Sequence, residues 1–399
     1  MIDIRGDFPF FNQKEYINFL DSAASSQKPF RVINKLLEFY SYGFSNIHRG
    51  NYSLSAEATM CFERVRVNTA EFINARDPKE IIFTKNATEA INLVASSFTK
   101  KLFDKDGGVL LLSSMEHHSN IIPWQQLCKE KKITLGIIPI NKNGKIIYTK
   151  FEEMMSFNVK FVAITHMSNF FGSVVDIKRI VRIAKKFGAK VLVDACQSVA
   201  HMKIDVQSLN CDFLVFSSHK LYGPTGVGIL YIQNTLLDCI DTYQTGGSMV
   251  KNVSFQETIF LDGPNKFEAG TPAIAEVIAF GEALYYLNSI DILEYWSKEK
   301  KIARYIKNEI HKTGSFYIYN NNEDSSIISF NHSKIHHSDI ADILDKDRIA
   351  VRSGHHCVQP LMNFLKISGA VRISLGIYNN YKDANNLIES LKKVDKIFV

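Results

Sequence analysis

Six short, mostly apolar runs, each breaking off into polar residues or glycine, constrain this chain more than any other feature. They are Glu80–Thr84, Val109–Ser113, Phe161–Thr165, Val191–Asp194, Phe213–Ser217 and Gly228–Ile232. Runs of this length read as buried strands. Stretches of helical periodicity separate several of them, for example Glu89–Phe98 and Ile177–Phe187, the latter closed by Gly188. The alternation predicts an α/β fold, a mainly parallel sheet with helices on both faces. Further on the pattern changes. Ile274–Leu287 and Leu293–His311 read as long helices, then Ser326–Phe330 and Val371–Leu375 as strands around a Ser338–Asp345 helix. These predict a smaller α+β domain joined by the amino-terminal segment, with a large domain over 17–285 and a small one from 1–16 and 286–399.

Composition excludes several function classes. At 399 residues there is enough chain for two cores, and 46% hydrophobic residues is too many for a disordered polymer. No uncharged apolar segment is long enough to span a bilayer, so no membrane role is expected. The net charge is +6, but Lys100-Lys101 and Lys131-Lys132 have acidic neighbours and no aromatic-rich basic stripe. A nucleic-acid partner is therefore not expected. The start, Met1-Ile2-Asp3-Ile4-Arg5-Gly6-Asp7, has early acids and no apolar signal core. Six scattered cysteines without a CxxC pair suit reduced thiols in a cytoplasmic protein, not a disulfide framework or a metal site.

In open α/β sheets ligands bind at the carboxyl ends of the strands, and polar residues gather there strand by strand. Lys85-Asn86-Ala87-Thr88-Glu89 opens a helix whose N–H groups and Thr88 hydroxyl suit a phosphate, or merely cap the helix. His117 and His118 offer a ring to stack on an aromatic cofactor or move protons, unless they are simply solvated. Asn169, after the third run, offers an amide to a ring oxygen or a carboxylate. Asp194 follows three apolar residues, and a sheltered carboxylate needs a cation, a protonated pyridine or a basic side chain. Ser217, His219 and Lys220 end the fifth run before the turn Leu221-Tyr222-Gly223-Pro224-Thr225-Gly226. A buried unpaired ammonium is costly. A Schiff base with pyridoxal phosphate (PLP) removes that cost; the alternative is a surface lysine after an edge strand. The chain has neither GxGxxG nor GxxxxGK[ST].

Far downstream, Arg352-Ser353-Gly354-His355-His356-Cys357 places a thiol after two histidines and an arginine, surroundings that suit a nucleophilic sulfur. Gly354 permits a tight or mobile loop. Adjacent histidines without further ligands at metal spacing do not suggest a metal. Arg372, within Val371-Arg372-Ile373-Ser374, suits a bidentate carboxylate anchor or a structural ion pair.

Assembled, these residues resemble a fold-type I PLP enzyme of the class V aminotransferase group, and more narrowly the Suf-type (group II) cysteine desulfurases. The resemblance runs nearly end to end. It is carried by Leu20-Asp21-Ser22-Ala23-Ala24-Ser25-Ser26-Gln27-Lys28-Pro29, His48-Arg49-Gly50, Glu116-His117-His118 with Asn120-Ile121-Ile122-Pro123-Trp124, the Ser218-His219-Lys220 segment, Phe267-Glu268-Ala269-Gly270-Thr271-Pro272 and Gly354-His355-His356-Cys357.

The resemblance implies a mainly parallel seven-stranded sheet in the large domain, a homodimer, and conversion of L-cysteine to L-alanine with sulfur passing as a persulfide to an acceptor protein for iron–sulfur cluster assembly. Lys220 would bond PLP, Asp194 pair with its ring nitrogen, Gln197 bond its ring oxygen and His117 stack on the ring and assist proton transfer. Thr88, Ser217 and His219 would hold the phosphate, with Thr271 reaching in from a second subunit. Asn169 and Arg372 would bind the substrate carboxylate. His48, Arg49 and Arg352 would line the pocket, and Cys357 would accept the sulfur. Some positions depart from the family pattern: Ala195-Cys196 where Gly-Ala is common, Ala87 for a frequent threonine, Thr245 for a usual glycine and Lys266 for a common arginine. A selenocysteine lyase, with L-selenocysteine as substrate, has less need of Cys357, a transaminase has none, and a catalytically silent assembly scaffold needs no cofactor.

Overall fold

The computed structural model describes residues 3–13, 16–103, 107–319 and 325–398. Residues 1, 2, 14 and 15 of the expected 1–16 segment lie outside the described residues. The large sheet consists of β1 (Ile81–Thr84), β2 (Val109–Ser113), β3 (Thr134–Ile138), β4 (Val159–Thr165), β5 (Lys190–Asp194), β6 (Phe213–Ser217) and β7 (Gly228–Ile232). Its order is β1-β7-β6-β5-β4-β2-β3. The central pairs are parallel, whereas β7 runs antiparallel to both β6 and β1. The sheet is thus mainly parallel and seven-stranded, as the resemblance implies.

The strand that the apolar runs do not reveal is β3. It pairs with β2 alone, and Thr134 and Ile137 are exposed. An edge strand needs no continuous apolar run, so its sequence carries a weaker signal. The central strands are buried on both faces, which is why their runs are legible. Pairing Thr165 with Asp194, and Asp194 with Val215, lines up the ends of β4, β5 and β6 at one edge. The helix expected over Glu89–Phe98 begins at Ala87 and widens after Leu93 into a π-turn over Val94–Thr99. There the Thr99 hydroxyl donates to the Val94 carbonyl, five residues back, at 2.9 Å.

A second sheet is antiparallel: β8 (Phe316–Ile318), β9 (Ile327–His332), β11 (Ala370–Ser374) and β10 (Arg352–Gly354), in that spatial order. Helices Ile292–Thr313, His337–Lys346 and Tyr381–Phe398 accompany it. Its own hydrophobic cluster includes Ile302, Phe330, Ile373 and Leu387, and Leu20 joins it from the amino-terminal segment. That segment pairs Asn18–Phe19 with Ile349–Ala350 in parallel. Ile4 and Phe8 instead belong to the larger cluster around the seven-stranded sheet.

A buried ion pair fixes the edge of the large sheet. Arg66 is 2% exposed. It donates to both oxygens of Glu268 at 2.7 and 2.9 Å and to the Ile81 carbonyl at 2.8 Å. Glu268 also accepts the Phe83 N–H at 2.7 Å, so it holds strand β1. Removing one partner of a buried pair strands the other charge. Glu63, also 2.9 Å from Arg66, softens that penalty. Glu268→Ala should therefore lower unfolding free energy by about 3 kcal/mol, the lower end for a broken buried pair; an unchanged urea midpoint would contradict this assignment.

Candidate active site

At the carboxyl ends of the strands lies a cavity of about 270 Å³. Thr88, His117, Asn169, Asp194, Gln197, Ser217, His219, Lys220, Arg352 and Arg372, expected from the sequence, all line it. They arrive on several separate elements. Thr88 follows β1, and its loop approaches β7 so closely that a Cβ on Gly228 would sit 2.3 Å from the Asn86 carbonyl carbon. Only glycine fits there. The Ser217 hydroxyl at the end of β6 accepts the Ala87 N–H at 2.9 Å and joins the two loops. Lys220 ends the short 3₁₀ turn Ser218–Lys220 and is half-buried.

His117 follows β2. Its Nδ1 accepts the Ser119 N–H at 3.1 Å, and the Ser119 hydroxyl lies 3.0 Å from the same nitrogen. Burial first, and the Lys220 charge second, push His117 down to about 3. The ring is therefore neutral, with its proton on Nε2. Asp194 is 6% exposed and accepts the Cys196 N–H at 2.9 Å. Gln197 donates to the Ala23 carbonyl at 2.9 Å. His219 is lowered to about 4 by burial and then by Lys220 and Lys28.

Two arginines enter from the second sheet, where Arg352 on β10 stands opposite Arg372 on β11. Arg372 is 1% exposed, pairs with Asp21 at 3.0 Å and donates to the Asn169 carbonyl at 3.1 Å. Among the described residues its buried Nε–H has no hydrogen-bond partner, and a guanidinium so placed in the cavity wall suits an anion.

Cys357 is half-buried beside this cavity, its sulfur 3.6 Å from Arg352 Nη2. His356 and Cys357 have φ of 50° and 58°, and Gly354 has φ of 112°. Left-handed backbone costs a non-glycine residue about 1 kcal/mol or more, so the loop is strained at Cys357. Hydrogen bonds oppose the strain. Asn169 Nδ2 donates to the His356 carbonyl at 2.8 Å, and the His356 ring bonds the Ala370 carbonyl at 2.9 Å. The amide of Asn169 is thus engaged by the loop.

The structure does not bring Arg49, His48 or Thr271 into the cavity of their own chain. Arg49 and His48 are exposed, and Arg49 donates to the Val250 carbonyl at 3.2 Å. Thr271 is exposed and lines a separate cavity with Phe83 and Tyr243. Conversely, roles for Glu116, Asp21 and Ser119 were not evident from the sequence. Glu116 accepts from Ser113, from Asn120 at 2.7 Å and from the Thr165 N–H at 2.9 Å, tying β2 to β4 beneath His117. Burial, against these donors, pushes its carboxyl up to about 8. Glu116 and Asp21 both stand within the motifs quoted above, but a motif does not say which of its members carries load.

The fold and this site define a class. The aminotransferase class-V family model matches residues 18–387, and the chain belongs to that family. Among curated relatives, a cysteine desulfurase of Cronobacter sakazakii is 41% identical over 99% of this chain and 98% of its own. A cysteine desulfurase of Yersinia pestis is 40% identical over the same shares. Among solved structures, the Escherichia coli cysteine desulfurase CsdA, in an S-sulfonic acid form, superposes with a TM-score of 0.93 at 33% identity, covering 99% of this chain and 98% of its own. The apo cysteine desulfurase from Thermococcus onnurineus NA1 gives 0.95 at 34%, with the same coverage.

PLP is the cofactor of this family, and the cavity fits it. A carboxylate, an amine, a neutral imidazole and a set of hydroxyls converge from separate strand ends, and the orphaned Arg372 Nε–H awaits an anionic group.

The buried histidines make a prediction for the cofactor-free protein. His166 and His356 are held at about 4 and about 2 by burial, with Arg372 adding to the effect on His356. Below the ordinary value of 6.5 the unfolded chain binds these protons and the folded chain does not. Stability should be full above that pH and fall below it, each histidine adding a slope of about 1.4 kcal/mol per pH unit. His166→Asn should flatten the pH 6-to-4.5 dependence of urea unfolding by about one proton; an identical slope would refute the assignment.

Proposed function

We propose that this chain is a cysteine desulfurase of the Suf type. It converts L-cysteine to L-alanine and carries the sulfur as a persulfide on Cys357 to an acceptor protein serving iron–sulfur cluster assembly. The observation that carries this reading is the company Cys357 keeps. A strained loop holds a half-buried thiol against Arg352, and Arg352 lines a cavity containing Lys220, Asp194 and His117. A transaminase has no use for a thiol there. Homologues named for this reaction span the whole chain.

Lys220 would anchor PLP covalently, with Asp194 at the ring nitrogen, Gln197 at the ring oxygen, His117 against the ring and Thr88, Ser217 and His219 around the phosphate. When bound, PLP supplies an electron sink for the pair left on carbon after α-proton removal. Arg372 and Asn169 would orient the substrate carboxylate, with Arg352 beside it; Arg372 brings the buried charge and Asn169 fixes its place through the 3.1 Å bond. The Lys220 amine, freed when the substrate amine takes its place, would then take the α-proton. The Cys357 sulfur then attacks the substrate sulfur, so an S–S bond forms as the C–S bond breaks. The bonding pair stays on the β-carbon, which takes up a proton, the α-carbon takes back the proton held by Lys220, and alanine leaves. One thiol and one cysteine give one persulfide and one alanine, so no external oxidant or reductant is needed. His117, neutral, can pass protons in this sequence without adding positive charge.

The same reading includes a homodimer in a cytoplasmic setting. Helix Phe30–Glu38 exposes Phe30, Ile33 and Leu37, close to exposed Tyr285. A face of this kind is suited to a second subunit. Arg49 reaches the Val250 carbonyl, and the Gly270 N–H beside Thr271 bonds the Gly247 carbonyl at 2.9 Å. Both residues thus attach to one surface segment, from which they would serve the partner's cavity. The division into 17–285 and 1–16 with 286–399 belongs to this proposal; the second hydrophobic cluster supports its carboxy-terminal part, whereas Ile4 and Phe8 pack with the large sheet and Leu20 with the second.

Purified protein should be yellow, and borohydride reduction followed by peptide mapping should place the cofactor on Lys220. Cys357→Ser should keep the colour but lose alanine formation from L-cysteine by a factor of about 100 or more, as expected when a nucleophile is removed. Undiminished alanine formation in that variant would reject the nucleophile, and a colourless wild-type protein that cannot be loaded with PLP would reject the enzyme.

A further inference from the structure

We propose that His118 is a positioning residue that holds the Cys357 loop against the large sheet by gripping it at two points just after the thiol. The inference rests on reading Cys357 as the sulfur acceptor, and it assigns a role to the second histidine of the Glu116-His117-His118 motif, which does not line the cofactor cavity.

The main-chain N–H of His118 donates to the Cys357 carbonyl at 2.8 Å. Two residues further along the loop, the Gln359 N–H donates to His118 Nε2 at 3.1 Å. One residue in the loop after β2 thus engages the Cys357 carbonyl and the Gln359 N–H, on either side of Val358. Gln359 begins the helix Gln359–Leu365, so its N–H has no acceptor within that helix. The ring of His118 supplies the missing acceptor. Accepting at Nε2 requires that nitrogen to be unprotonated, and burial followed by the charge of His355, whose ring is 5.6 Å away, lowers His118 in the required direction.

The loop needs such a grip because His356 and Cys357 are both left-handed, a conformation that persists only when neighbours over-determine it. Asn169 and the His356 ring secure the residue before the thiol, and Cys357 N–H bonds His355 Nδ1 at 3.1 Å within the loop itself. Beyond the thiol the side-chain hold from the large sheet is His118. It does not line the cofactor cavity but lines two neighbouring ones, the first of which shares Thr88 and Ser119 with it. The persulfide must face the cavity when it forms and solvent when it leaves, so the strength of this grip sets how the loop divides its time.

Three variants test the assignment. His118→Ala removes the acceptor. His118→Asn keeps polarity, but its oxygen stops short of the Nε2 position. His118→Gln places an oxygen near it. Loss of one hydrogen bond should speed hydrogen exchange at the Gln359 amide and iodoacetamide labelling of Cys357, read by peptide mass, by about fivefold in the Ala and Asn variants. Alanine formation should fall by about the same factor, with the KM for L-cysteine and the yellow cofactor band unchanged. The Gln variant should return all three rates to within about twofold of the parent. Parental exchange and labelling in the Ala variant, or a Gln variant no better than Asn, would overturn the assignment. Should any variant lose the cofactor band, exchange at Gln359 in the remaining two decides. If Cys357→Ser retains full activity, the nucleophile reading fails, while Gln359 exchange and Cys357 labelling still judge the grip.

Discussion

The buried pair between Arg372 and Asp21 is the constraint on which the site depends. Arg372 belongs to the second sheet and is 1% exposed; Asp21 lies on the amino-terminal segment, 3.0 Å away. A guanidinium so deeply desolvated persists only with a partner. Asp21 supplies one, and so draws the segment 21–28 across the front of the large sheet. There it meets the other side of the cavity. The Ala23 carbonyl accepts from Gln197, while the Ser26 hydroxyl and the Lys28 ammonium bond the His219 carbonyl at 3.1 and 3.0 Å. One strand of chain thus ties an arginine on the second sheet to the residues after β5 and β6. Arg372 is left with an unpaired Nε–H, and the pair is therefore structural and unsaturated at once.

Neutral histidines are the second organising element. His117, His166, His219 and His356 are all lowered to about 4 or below, chiefly by burial. Each can then accept as well as donate. His117 accepts from Ser119, which leaves its other nitrogen as the donor, while His356 donates to Ala370. Protonated rings packed this closely beside Lys220, Arg352 and Arg372 would repel them. The fold obtains hydrogen-bonding rings without added charge by keeping water out.

The residues at strand ends were legible because a parallel sheet converts sequence order into spatial convergence. Asp194, Ser217 and Lys220 needed only their place after an apolar run. Position beyond the sheet was less legible. Edge strand β3 was missed because exposure breaks the apolar run that marks its neighbours. Glu116 and Asp21 gave no local signal, since their partners Thr165 and Arg372 are 49 and 351 residues away. The polar setting of Cys357 among Arg352, His355 and His356 was legible in the sequence, but the left-handed backbone at His356 and Cys357 has no counterpart in composition. Arg49 and Thr271 do not reach the cavity of their own chain, a separation that no local sequence signal conveys.

Charge decides what the cavity can hold. Its walls carry the cations Lys220, Arg352 and Arg372 against the carboxylate of Asp194, with Asp21 committed to Arg372. Glu116, pushed up to about 8, adds little negative charge near neutrality, and the histidines add no positive charge. Uncompensated cations in a sheltered site raise its free energy until an anion enters. Under the proposed function, a cofactor bearing a phosphate and a substrate bearing a carboxylate would supply that compensation, and Asp194 would pair with the cofactor's protonated ring nitrogen. The mild excess of basic residues over the whole chain conveys none of this, because what matters is three cations and one free carboxylate facing a cavity of about 270 Å³.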